Sequence, residues 1–345
     1  MPGFVAELKD AVSGRAALLV FATLLLQLGF VLSYVGALHH PAPHRLSIGV
    51  AAPAQVQPKL LGALAQVPNE AVKPVAVASA ADAESRIKDQ KIYAALVFDP
   101  SSSQDVLLVA NARGPAAAVA AESIVTSLEQ TQSRTVQVRD VVPLATGDAK
   151  GLSSFYLVIG WCVGGYLVAS ILGISAGSRP ANLNRAVIRT GVLALYSIGA
   201  GLGGALIVGP ILGALPGSIA GLWWVGSLVV FAVGTVTMAM ECLFDVVGIG
   251  LAVLVFVVLG NPSAGGVYPT PLMPPFWRAF GAWLPNGAGT DATRSIAYFG
   301  AGNLLQPLLV LSAWTAVGLA VTMAAVILRP RGGRPMAATP PSVAA

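Results

Sequence analysis

The sequence predicts an α-helical integral membrane protein with six transmembrane helices and one extracytoplasmic α/β domain inserted between helices 1 and 2. Three observations predict it. The 345 residues are 55% hydrophobic and 10% charged, whereas a soluble domain carries about 25% charged residues. With a mean hydropathy of +0.76, the chain has too little charge to cover a water-facing surface, so most of it faces lipid. Apolar runs of spanning length recur along the chain, and a soluble-looking segment from Leu38 to Ser153 separates the first run from the rest.

A helix needs about 20 apolar residues to cross a bilayer core. Ala16–Leu38 supplies the first span. It exceeds a signal-peptide apolar region and is followed by a weak small-residue site, Gly36-Ala37, so it reads as an uncleaved helix. Phe155–Ala176 is the second span, and Val187 to about Leu212, rich in glycine, is the third. Ile219–Met240 is the fourth, Leu243–Leu259 a short fifth and Leu304–Leu328 the sixth. Glycines four apart, Gly160 with Gly164 beside Gly165 and Gly199 with Gly203 near Gly201 and Gly204, read as close helix packing.

Positive charge orients the spans. Lys9 and Arg15 precede the first, Arg179, Arg185 and Arg189 fill the link between the second and third, and Arg329, Arg331 and Arg334 follow the sixth. With six spans these clusters share one side, which places both termini in the cytoplasm of a plasma-membrane protein. The inserted segment holds ten basic and ten acidic residues and adds no bias. The formal charge of +5 and pI of 9.4 therefore reflect topology, and no nucleic-acid partner is expected.

Residues 39–150 alternate strands and helices. Leu46–Ala51, Pro74–Ala78, Tyr93–Phe98, Val106–Ala110 and Val136–Val141 read as strands. Lys59–Gln66, Asp82–Lys91 and Pro115 to about Gln132 read as helices, the last with proline in its first turn. Such alternation indicates an α/β arrangement. Residues 151–328 carry the remaining spans, and 329–345 form a basic tail.

Asn261–Gly302 is too polar and proline-rich to span. Phe276, Phe280 and Trp283 recur at helical spacing beside Trp277, which suggests a short helix in the outer interface or dipping in as a re-entrant element. Leu284-Pro285-Asn286-Gly287 breaks that helix, and Thr290 caps a second one in which Asp291 and Arg294 pair. Phe276, Trp277, Phe280, Trp283, Asp291 and Arg294 are thus candidate lining for the lip of a substrate path; a packed interfacial cover is the competing reading. Glu241 and Asp245 fall at the cytoplasmic edge between spans four and five, where a solvated turn is favoured over a proton or ion site.

No catalytic constellation stands out. His39, His40 and His44 form a polar flank rather than a ligand set, and Ser101-Ser102-Ser103 after Asp99-Pro100 reads as a turn. The two cysteines, Cys162 and Cys242, lie in or beside spans, so no disulfide framework or metal site is expected. No cofactor and no enzymatic activity are expected.

The layout of one span, an inserted domain and five further spans resembles the membrane subunits of type-2 ABC exporters. It is closest to the phage-infection-protein (Pip/YhgE-like) and nitrosoguanidine-resistance-like membrane proteins. Ala83-Glu84-Ser85-Arg86-Ile87 leading into Tyr93-Ala94-Ala95-Leu96-Val97-Phe98-Asp99-Pro100 carries part of the resemblance. Asn261-Pro262-Ser263-Ala264-Gly265-Gly266, Met273-Pro274-Pro275-Phe276-Trp277, Leu284-Pro285-Asn286-Gly287 and Asp291-Ala292-Thr293-Arg294 to Tyr298-Phe299 carry the rest. The resemblance implies a homo- or heterodimeric permease that exports a hydrophobic or amphipathic substrate, with Arg179, Arg185 and Arg189 against an ATPase and Phe4–Lys9 as a short interfacial helix. The chain lacks Gly-x-x-x-x-Gly-Lys-Ser/Thr, so the ATPase is a separate subunit. From a different class comes a membrane receptor or scaffold that displays the inserted domain to a partner. A half-sized proton-driven transporter is disfavoured because span four has no acidic residue in its interior.

Overall fold

In the computed structural model, which describes residues 13–328, six helices are long and apolar enough to cross a membrane. They span Ala16–Leu38, Ser153–Ala176, Leu183–Ile211, Ile219–Phe244, Val246–Ser263 and Leu305–Ile327. The chain is a multi-pass membrane protein. Phe4–Lys9 and the basic residues Arg329, Arg331 and Arg334 lie outside the described residues.

Helix α1 (Gly14–Leu38) starts at Ser13, whose hydroxyl accepts the Ala16 amide at 3.2 Å. It stands at the periphery, and Leu18, Val20, Phe21 and Leu32 project into the lipid. Only its domain-side end is anchored: Trp277 Nε1 donates to Ser33 Oγ at 3.2 Å, and Asn261 Nδ2 to the Tyr34 hydroxyl at 3.0 Å.

A five-stranded sheet follows, with β1 (Leu46–Ala51), β2 (Val72–Val77), β3 (Ala94–Val97), β4 (Gln104–Val109) and β5 (Thr135–Asp140). Its order is β2-β1-β3-β4-β5, parallel except for the β3–β4 pair. Helices α2 (Gln57–Ala65) and α4 (Pro115–Gln130) cover one face through Leu60, Leu64, Ala121 and Val125. Helix α3 (Ala80–Lys88) covers the other through Ala83 and Ile87. All five strands anticipated from the sequence form, because each is a short apolar run closed by turn residues.

The domain is docked, not merely tethered. Leu272, from the loop before the last span, enters the core under α2 and α4, while Phe299 enters the core on the α3 face. The loop also accepts two backbone bonds, His44 N to Pro271 O at 2.8 Å and Ala42 N to Leu272 O at 3.2 Å. Buried Asp148 ties the same regions: it accepts the Ser153 amide at 2.9 Å and the Tyr298 hydroxyl at 2.8 Å.

Helices α5 (Ser153–Ala176), α6 (Leu183–Leu206, prolonged through Ile211) and α7 (Ile219–Phe244) build the centre of the membrane body. The fifth span, α8, begins at Val246 and closes through a wider turn at Leu254–Leu259 before ending at Ser263. The last span is α11 (Leu305–Ile327). Helix α7 is the hub, packed around Val229, Val230 and Val233.

Which glycines make the close approaches differs from the spacing argument. Of the four spaced glycines only Gly164 makes a close approach, a Cβ there lying 3.0 Å from the Tyr196 hydroxyl, while Gly160, Gly199 and Gly203 have nothing within 4 Å. The tighter contacts are one or two positions away. A Cβ on Gly165 would lie 2.7 Å from Val230 O, and one on Gly201 2.5 Å from Ser227 N. The four-residue spacing marks a small-residue face, but neighbouring glycines are the ones turned toward α7.

Candidate functional site

The stretch before the last span folds as α9 (Pro275–Phe280) and α10 (Pro285–Tyr298). Here the structure corrects the sequence reading. Leu284-Pro285-Asn286-Gly287 does end the first helical stretch, through an extended Leu284, but it also begins the second helix, well before Thr290, with Pro285 at the first helical position, where its missing N–H costs nothing. Thr290 is no cap. It is fully buried inside α10 and donates to Asn286 O at 2.8 Å.

Helix α10 is polar in composition yet almost wholly enclosed. Its small residues allow this: a Cβ on Gly289 would lie 2.9 Å from side-chain carbons of Val158 and Val229. One of its buried polar side chains starts a chain of hydrogen bonds. Asn286 Nδ2 donates to Phe256 O at 2.9 Å and to Asn261 Oδ1 at 2.7 Å, and Asn261 passes a bond on to Tyr34. This chain joins α10, the end of α8 and the peripheral α1. Asn286→Ala removes two donors and orphans Asn261 Oδ1 and the Phe256 carbonyl, a loss of about 2 kcal/mol. The expected outcome is a lower thermal midpoint of the purified protein and faster proteolysis at α1; an unchanged midpoint contradicts the linkage.

The candidate aromatic residues do not form one surface. Trp277 is inserted against α1, where a Cβ on Gly36 would lie 2.7 Å from its ring. Phe276 is exposed and stacks edge-on to Phe280 at 4.8 Å. Trp283 is also exposed, and its carbonyl accepts Trp314 Nε1 at 2.7 Å. Phe276 and Trp283 face outward, whereas Trp277 is an anchor.

Asp291 and Arg294 lie elsewhere, on the face of α10 turned to the α/β domain. They line a polar cavity of about 80 Å³ together with Gln90, Tyr93, Arg113 and Asn303. Arg294 is 6% exposed. Its Nη1 stands 3.9 Å from Asp291 Oδ1, and both Nη atoms share Gly265 O at 3.3–3.4 Å. Arg113 comes down from the domain, lays its guanidinium 3.8 Å over the Tyr93 ring and donates to Ile92 O at 2.6 Å. The Asp291 side chain opens to the cavity, yet surrounding protein pushes its carboxyl above the usual range against the pull of Arg294 and Arg113. Nothing in the sequence linked Arg113 to the loop; the docking of the domain brings it there.

A second feature flanks α10 on its other side. An apolar groove of about 740 Å³ runs over the domain-side half of α7, between α6 and α11. Ala194 and Ile198 form one wall, Leu304 and Leu308 the other, and Val225 and Leu228 lie on the floor. The edge carries Trp224, 68% exposed.

No protein-family model matches the chain, and no curated protein or solved structure does either.

At the opposite end of the spans the three candidate arginines differ. Arg179 donates to the Cys242 and Leu243 carbonyls at the end of α7, and Arg189, buried, donates to Ala176 O at 2.5 Å at the end of α5. Both close helix C-termini. Arg185 is exposed in the first turn of α6, whose cap is Asn182 accepting the Arg185 amide at 2.9 Å. The two acidic residues also part. Asp245 is exposed and takes the Ser178 hydroxyl. Glu241 is 2% exposed, not in a solvated turn. Its carboxyl fills the space left by Gly173, where a Cβ would overlap Oε2. Among the described residues no group of three or more His, Cys, Asp or Glu is placed to hold a metal.

Proposed function

We propose that the chain is the membrane permease subunit of a type-2 ABC exporter, moving a hydrophobic or amphipathic substrate outward with a separate ATPase. The α/β domain is then extracytoplasmic and both termini cytoplasmic, in a homo- or heterodimer in the plasma membrane. The observation that carries the reading is the lateral groove. It is large, almost purely apolar and open to lipid in the half of the membrane next to the domain. A membrane-dissolved molecule can enter it sideways without crossing water. At the other end of the spans Arg185 and Arg179 are both exposed cations available to an ATPase, Arg179 donating also to the end of α7, whereas Arg189 is buried against the end of α5.

Ala194→Trp places an indole in the groove. Export of a fluorescent amphipathic probe from cells is expected to fall to the level of a deletion strain, with folded protein unchanged by size-exclusion profile. Export at the wild-type rate removes the groove from the path. A deletion strain that exports lipids, peptides and drugs normally, from a protein that co-purifies with no nucleotide-binding subunit, overturns the permease reading. It then favours a receptor or scaffold that presents the domain.

A further inference from the structure

The cavity between the domain and α10 carries a net positive lining and a buried donor without an acceptor. A guanidinium carries five N–H groups, and those of Arg294 meet one carbonyl at long range and one carboxylate at 3.9 Å. Arg113 adds a second cation from the facing wall, with one bond to Ile92 O. Gln90 adds a carboxamide whose Nε2 is buried without an acceptor. The residue itself sits in the left-handed region at φ 60 because it ends α3 in a Schellman turn, Gln90 N donating to Ile87 O at 2.9 Å and Lys91 N to Arg86 O at 2.8 Å, and that turn aims its side chain at the cavity. Against these donors stands one carboxylate, Asp291. The formal balance of the wall, two arginines and one aspartate, is positive.

These donors are satisfied when an acceptor with several lone pairs meets both arginines, and phosphate oxygens fit the guanidinium fork two at a time. About 80 Å³ admits one tetrahedral oxyanion group but no hydrocarbon chain. The apolar groove, by contrast, offers no cation among its lining residues. We propose that this cavity binds a phosphate group between Arg294 and Arg113, with Gln90 as a neutral third donor and Asp291 as the resident counter-ion that the phosphate displaces. The group can arrive as inorganic phosphate or as the headgroup of an anionic phospholipid, because the cavity lies where the domain meets the membrane body. The proposal stands independently of export.

The test uses the full chain in nanodiscs of purely zwitterionic lipid, titrated with inorganic phosphate at constant ionic strength, and in nanodiscs doped with phosphatidylglycerol. Wild-type protein is expected to show a saturable rise in thermal midpoint in at least one arm. Phosphate acting alone identifies a soluble ligand; a response confined to phosphatidylglycerol identifies a headgroup. Asp291→Asn decides between a ligand site and a mere latch. A site whose competing carboxylate is removed binds about tenfold more tightly, whereas a latch is weakened and gains no affinity. Arg113→Gln is expected to weaken binding about tenfold while leaving the membrane body folded, because Arg113 sits in the domain wall. This variant covers the case in which Arg294→Gln fails to fold. Absence of saturable binding in both arms for wild type and Asp291→Asn overturns the proposal, as does Asp291→Asn protein that loses stability without binding more tightly.

Discussion

Leucine in place of Gly201 is expected to prevent the spans from assembling. A Cβ at this position would lie 2.5 Å from Ser227 N and 2.7 Å from Trp223 O, both backbone atoms of α7. A side chain could rotate away, but a helix backbone must shift as a unit. The shift also strains two bonds that the same stretch of α6 receives, Trp223 Nε1 to Ile198 O at 2.9 Å and Trp161 Nε1 to Ala200 O at 3.2 Å. Overpacking against immobile atoms costs about 3 kcal/mol, and these bonds add about 1 kcal/mol each. Gly201→Leu is expected to yield no monodisperse peak in fluorescence-detected size exclusion. Gly199→Leu, two residues away in open space, is expected to behave as wild type. Equal behaviour of the two variants would show that the α6–α7 contact does not set the bundle.

The contrast between these glycines shows what sequence can and cannot reveal. Apolar length marked all six spans, and short runs between turn residues marked all five strands, because those signals are local. The register of a span against its neighbours is not local. Gly199 and Gly203 have the same spacing as a packing pair, yet the residue facing α7 is Gly201, which depends on how α6 is rotated by the rest of the bundle. The second helix before the last span was legible, but the burial of α10 was not, for a related reason. Thr290 read as a cap and Arg294 as the partner of Asp291; that Asn286 and Arg294 are buried depends on partners that Asn261 and Gly265 supply from a turn outside the helix. Glu241 read as a turn residue by its position at the end of a span; Gly173, on another helix, makes the hollow that encloses it. The half of the phosphate cavity contributed by Arg113 is legible only after the domain has docked.

The largest pH effect is expected in the α/β domain, at the sheet end away from the membrane body. Asp105 and Glu129 are both fully buried there and share one cation, Arg134. Arg134 grips Asp105 through Nε at 2.7 Å and Nη2 at 2.6 Å, donates to Asp99 O at 2.8 Å and packs 4.3 Å over the Phe98 ring. Glu129 is left as the poorer partner, 3.7 Å from Nε. Burial, and then the adjoining Asp105, push its carboxyl from the ordinary 4.5 up to about 7. The sign follows from proton counting. Between those two values the folded protein holds a proton that the unfolded chain has released, so stability is full below the lower value and falls as pH rises through the upper one. The loss at pH 8 is up to about 3 kcal/mol. Glu129→Gln keeps the shape of the protonated acid and is expected to match wild type near pH 4.5 and exceed it at pH 8. Arg134→Met acts in the opposite direction: it strands Asp105 and costs about 3 kcal/mol at neutral pH. Hydrogen exchange of the β4 and β5 amides in the full-length protein from pH 5 to 8 reads both effects locally. If Glu129→Gln and wild type exchange in parallel across that range, Glu129 is already ionised in the fold and Arg134 serves both carboxylates.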